Sequence, residues 1–168
     1  MNGLRKEKSS KGFTIIEVVL VLAIAGLIFL MVFIALPALQ RNQRDTQRKT
    51  DMGRLSTALV NYTNSNRGAL PSTNGWSSFV GSYLTAGGDA FLDPSGATSG
   101  QTGATTYVLT PSTDATISTT FGNGGQNVIF YSPGYVCGAS SDSISSGGSR
   151  KVAFRMVLEG GGYYCVNN

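Results

Sequence analysis

Few residues in this chain have types and spacing suited to chemistry. None of the 168 residues is a histidine, so the usual general base near neutral pH is missing and the many serines have no imidazole to activate them. Cys137 and Cys165 allow one intrachain bridge or two buried free thiols. Asp89 and Asp93 are the only carboxylates close together in their stretch. Two carboxylates are fewer oxygen ligands than a tight calcium site takes, and Asp93-Pro94-Ser95-Gly96 reads more simply as a turn. Arg41, Arg44 and Arg48 follow one helical face that could meet DNA but reads more simply as a solvated or interfacial surface. No catalytic residue, resident cofactor or metal is expected. The exception that demands a reason is Glu17, a lone carboxylate in "KGFTIIEVVLVLAIAGL", residues 11–27, five positions after Gly12.

These residues depend on the elements that carry them. Val18–Leu36 holds no charge and only Gly26 interrupts its apolar character, over a helical length of ~28 Å, close to the hydrocarbon thickness of a bilayer. Pro37 removes the hydrogen bond to the Phe33 carbonyl and predicts a kink or a loosened turn. Beyond it, Met52, Leu55, Leu59 and Tyr62 share one helical face. Arg41–Asp45 and Asp45–Lys49 form oppositely charged i,i+4 pairs, expected on the solvated side. Asn64, Ser65, Asn66 and Gly68, then Pro71, mark the stop. The reading is one helix from about Phe13 to Asn66, ~80 Å long, apolar all round in its first half and amphipathic in its second.

After Pro71 the period changes. Residues 71–103, with Trp76, Phe79, Tyr83 and Leu84, read as an irregular connection. "TTYVLT", "ATISTTF", "NVIFY" and "KVAFRMVLE" read as short strands between Gly, Pro, Asn and Ser clusters. In the last, Val152, Phe154, Met156 and Leu158 alternate with Ala153, Arg155, Val157 and Glu159, which predicts a sheet with one covered face, the Met52–Tyr62 stripe being its cover. The fold class is therefore α+β.

Charge separates the N-terminus from the rest. Lys and Arg total 13 against 9 Asp and Glu. The first twelve residues hold Arg5, Lys6, Lys8 and Lys11 against Glu7; without them the chain is close to neutral, so its basic pI does not imply a nucleic-acid partner. Residues 41–54 carry the same excess, and the positive-inside rule gives no orientation. A secretory signal could be cleaved after Ala23-Ile24-Ala25, but the apolar run continues for eleven residues beyond. An uncleaved anchor leaves Glu17 unexplained, although a carboxylate near the headgroups is tolerable. The export-like N-terminus favours the Cys137–Cys165 bridge over free thiols, worth about 3 kcal/mol in the chain-entropy model.

A third reading accounts for the whole segment. "KGFTIIEVVLVLAIAGL" resembles the processing site of type IV prepilins and pseudopilins, in which a short basic leader ends in glycine before phenylalanine, Thr-x-x-Glu and a long apolar helix. The resemblance implies removal of residues 1–12 by a prepilin peptidase after Gly12 and N-methylation of Phe13. It also implies pairing of Glu17 with the Phe13 amine of a neighbouring subunit, since a slipped register would leave both charges unpaired. Gly26 falls where the family has a helix glycine, and Pro37 lies about three residues beyond its usual proline. "EGGGYYC", with Cys137 and Cys165, is similar to the disulfide-bounded C-terminal region of many type IV pilins. "LVNYTNSNRGALP" and "FLDPSG" are similar to segments of major pseudopilins.

The implied fold is that of a type IV pilin, a long N-terminal helix on an antiparallel sheet. Its parts are the leader (1–12), a transmembrane and assembly half-helix (13–39), an amphipathic half-helix (40–67) and a head (68–168). The implied function is structural: a subunit that waits in the cytoplasmic membrane and then enters a surface filament for adhesion, twitching motility or DNA uptake. Its partners would be copies of itself, other pilin subunits and the assembly machinery with its separate ATPases, with DNA or a host surface outside the cell. The alternatives are a pseudopilin of a secretion or competence system and an anchored binding domain that does not polymerise.

Overall fold

The computed structural model describes residues 12–94, 105–117 and 127–168. Nearly all of the leader therefore lies outside the described residues, as do the end of "ATISTTF" and Ser95-Gly96 of the expected turn. The chain divides into two compact units, Met1–Leu39 and Gln40–Asn168.

Helix α1 covers Ile15–Ser65 and runs through Pro37. It is the one helix among the described residues long and apolar enough to cross a bilayer. In the first unit its large apolar side chains, from Ile15 to Leu39, are exposed. In the second unit the same helix buries a stripe: Met52, Leu55 and Leu59 are fully covered and Tyr62 packs against them. The helix ends through its own chain reversal. Gly68 N–H donates to the Thr63 carbonyl at 2.7 Å, and Arg67 and Gly68 both take positive φ, which makes glycine the apt residue at the second position.

Helix α2, Trp76–Tyr83, lies within the segment expected to be irregular. Trp76, Phe79, Val80 and Tyr83 repeat at helical spacing, a short signal obscured by the surrounding Gly and Ser. Strands β1 (Leu92–Asp93) and β2 (Thr105–Thr106) pair antiparallel. The main sheet joins β3 (Val108–Pro111), β4 (Val128–Pro133), β7 (Val152–Val157) and β8 (Tyr163–Asn167) in the order β3-β4-β7-β8. β4, β7 and β8 are antiparallel, but β3 runs parallel to β4, so the sheet is mixed and not purely antiparallel. The long connection between β3 and β4 makes that crossover possible. A ribbon of β5 (Tyr135–Cys137) and β6 (Ile144–Ser146) is inserted between β4 and β7. Of the expected strand at 115–121, the described part contributes an isolated bridge from Thr116 to Ser143.

The expectation of one covered sheet face fails at β7, all six residues of which are buried. Phe154 and Met156 join Met52, Leu55, Leu59, Trp76, Phe79 and Ile129 in the core beneath α1. On the other side, Arg155 is fully buried. Its guanidinium donates to the backbone carbonyls of Asp114 (3.0 Å) and Asp142 (2.8 Å) and to the Ser132 hydroxyl (3.3 Å), which holds two loops over the sheet. Burial pushes the Arg155 pKa down, with Asp114 and Asp142 acting against it.

Candidate functional site

Gly12 and Phe13 precede α1 without helical structure, and Phe13 is 89% exposed. Thr14 and Glu17 then begin the helix together. The Thr14 N–H and hydroxyl each donate to the Glu17 carboxylate at 3.0 Å, and the Glu17 N–H donates to the Thr14 hydroxyl at 3.4 Å. This is a reciprocal capping box, with Thr14 as N-cap and Glu17 at the third helical position. The sequence reading missed it, although Thr-x-x-Glu before an apolar run is its signature. Glu17 therefore has a role within the chain: it satisfies a backbone donor that would otherwise be orphaned at the helix start. Gly26 and Pro37 lie inside α1. A Cβ built at Gly26 meets nothing within 4 Å, so packing within this chain does not require a glycine there.

Cys137 on β5 and Cys165 on β8 are bonded, with Cα atoms 5.9 Å apart, and fasten the ribbon to the sheet edge. In the same unit the basic helical face departs most from expectation. Arg48 is fully buried and forms a two-pronged pair with Asp93, Nε to Oδ2 at 2.8 Å and Nη2 to Oδ1 at 2.9 Å. Its third nitrogen reaches Asp45 at 2.8 Å and Glu159 at 3.4 Å. Arg44 pairs with Glu159 through two of its nitrogens, Nε donating to Oε2 and Nη2 to Oε1. Asp45 takes up neither i,i+4 partner expected of it; its carboxylate accepts the N–H groups of Glu159 (2.9 Å) and Gly160 (2.7 Å).

The cluster ties α1 to β1 and to the β7–β8 turn. Arg44 and Arg48 are consequently not a solvated face for DNA. Asp93 is engaged with Arg48, and Asp89 faces Arg54 at 3.7 Å, so the two carboxylates do not converge on a shared cation. Burial lowers the Arg48 pKa, but its bonds to Asp93, Asp45 and Glu159 outweigh that and raise it overall. The Arg44 hydrogen bond holds Glu159 below its ordinary value. Asp51 is shifted the opposite way: burial raises it, against bonds from the Tyr107 hydroxyl (3.1 Å) and Arg54 (3.1 Å). Charged pairs at 45, 48 and 51 continue the apolar stripe toward the N-terminus, and an apolar-periodicity reading passes over them.

Comparison with protein families matches residues 8–33 to the prokaryotic N-terminal methylation motif. No curated protein and no solved structure matches the chain. The match supports a type IV pilin-like prepilin leader at the N-terminus, ahead of the apolar helix α1. The fold is α+β, a long apolar N-terminal helix with a mixed sheet in the C-terminal part. Together these support a protein of type IV pilin or pseudopilin type, anchored in a membrane before assembly.

Proposed function

We propose that the chain is the structural subunit of a type IV pilus filament. A prepilin peptidase cuts between Gly12 and Phe13, and the new Phe13 amine is methylated. The subunit rests in the cytoplasmic membrane through α1 until it is drawn into a filament by packing of that helix against copies of itself. The observation that carries this reading is a methylation motif joined to an apolar helix whose side chains stay exposed throughout the first unit.

Exposed apolar surface of that extent needs a lipid or protein partner. Identical head-to-tail contacts on it generate fibres. Glu17 selects the register by pairing with the Phe13 amine of the neighbour, and Gly26 lets helices approach closely. The Cys137–Cys165 bridge favours a pilus over a secretion pseudopilus, in which such a bridge is often lacking. The subunit acts as a building block and not as an enzyme.

Co-expression of wild-type and Glu17→Val chains tests the assembly step. The mutant's share of sheared filaments should fall well below its share of the membrane pool. Equal shares, with normal filament numbers when the mutant is the sole subunit, would overturn it.

A further inference from the structure

The charges of the second unit can be followed one by one. Residues 95–104 and 118–126 contain no Asp, Glu, Lys or Arg, so every charged residue of this unit is among the described ones. All of its carboxylates except Asp114 and Asp142 pair with Arg44, Arg48 or Arg54. The two exceptions come from separate loops, yet the fold sets them together: their backbone carbonyls accept from the same guanidinium, that of Arg155, at 3.0 and 2.8 Å. Arg155 is held by these carbonyls and not by the carboxylates. The Asp114 side chain is exposed, accepting only the Ser112 hydroxyl at 3.4 Å, and Asp142 is half-buried.

Two cations gather in the same way at the end of α1. Arg150 lies across Gly68, where an added Cβ would fall 2.9 Å from its Cζ, and this brings it beside Arg67. Both arginines are exposed, and neither pairs with a carboxylate. The adjacent Lys151 instead reaches the Asn168 carbonyl at 2.6 Å. The C-terminal end of a helix suits cations, which makes the gathering cheap and leaves both guanidinium groups available. The other exposed cations of the unit, Arg41 and Lys49, stand about two turns apart along α1.

We infer that Arg67 and Arg150 of one subunit pair with Asp114 and Asp142 of the next copy, a contact that rests on the filament reading. The patches match in number and are opposite in sign, and guanidinium suits carboxylate geometrically. They also lie on different faces. Asp114 and Asp142 sit with Arg155 on the side of β7 turned away from the core beneath α1, whereas Arg67 follows α1 itself. A contact between two different patches of one chain is head-to-tail, so it repeats along a fibre. Exposed ion pairs are individually weak, so this contact fixes how heads meet while the apolar helices supply the attraction.

Filament yield from the full chain tests it through charge reversal. Arg67→Glu/Arg150→Glu alone, or Asp114→Arg/Asp142→Arg alone, sets like charges against each other and should cut sheared filaments about fivefold with an unchanged membrane pool. Co-expressed, the two variants offer opposite charges at every contact, and yield should return to within about twofold of wild type with both variants in equal amounts. A folding defect would not be repaired by mixing. Asp114→Asn/Asp142→Asn, which adds no cation near Arg155, should by itself give an intermediate yield. Wild-type yield from either reversed variant or from the Asn variant would overturn the contact. So would loss confined to the arginine variant, which would assign that patch to a different anionic partner, or full-strength membrane pools of both reversed variants that make no filaments together. Absence of filaments from the wild type would instead remove the filament reading itself, and this contact with it.

Discussion

At the scale of single residues, three side chains combine a strong environment with a clear test. Glu17 takes part in a capping box within its own chain and, in the proposed filament, pairs with a neighbour's amine. Glutamine can reproduce the first role but not the second. Glu17→Gln should therefore keep the helix start, export and processing while reducing assembly as Glu17→Val does. If Glu17→Gln assembles normally and only Glu17→Val fails, the capping box is what matters.

Arg48 is fully buried against Asp93, and removing one partner of such a pair strands the other charge, typically at about 3–5 kcal/mol. Arg48→Met should lower the stability of the detergent-solubilised chain by that order in urea titrations, and Arg48→Lys should rescue it only partly because the two-pronged geometry is lost.

Glu159 supplies a pH dependence. Its folded pKa is depressed, so its contribution is present above the ordinary value of 4.5 and lost as pH falls through the lower folded value. Asp51 is shifted upward, so its protonation offsets part of that loss. The urea midpoint of the wild type should fall below pH 4.5 more steeply than that of Glu159→Gln.

At the scale of elements, α1 was legible because two patterns mark it: an unbroken apolar run, and then Met52, Leu55, Leu59 and Tyr62 on one face. Strands β4 and β7 were legible as β-branched and aromatic runs between breakers. Helix α2 was not, since eight residues containing Gly81 and three serines give too little periodicity to outweigh their composition. The parallel pairing of β3 with β4 was hidden for a different reason: strand direction depends on the path of the connection and not on the pattern within the strand. Arg155 and Arg48 sat at positions where a charged residue normally marks solvent, and only tertiary partners from distant elements reveal their burial. Of the candidate site, the methylation motif and the cysteine pair could be read directly. The capping box was readable but unread, and the ion cluster needed the fold.

The element most exposed to a simple test is β8, bonded at its middle residue, Cys165, to the β5 ribbon and preceded by the turn that Asp45 and Arg44 grip. Reduction of a native bridge in a small domain costs about 2–5 kcal/mol. Reduced protein should be cut by protease in the Gly160–Asn168 region well before oxidised protein; equal digestion patterns would show that the ion cluster alone secures the strand.

For the whole molecule, the described part of the first unit presents the exposed apolar side chains of α1, and the second unit is a domain with its own core. In the proposed filament subunit a short basic leader keeps these parts in a precursor, and its removal creates the charged amine that assembly uses. Mass spectrometry of sheared surface filaments measures this directly. The expected result is a mature N-terminal peptide beginning at Phe13 and carrying one added methyl, with the leader retained when Gly12 is replaced by a bulky residue. A mature chain beginning at Gly26, or an intact leader on protein that never enters a filament, would contradict it.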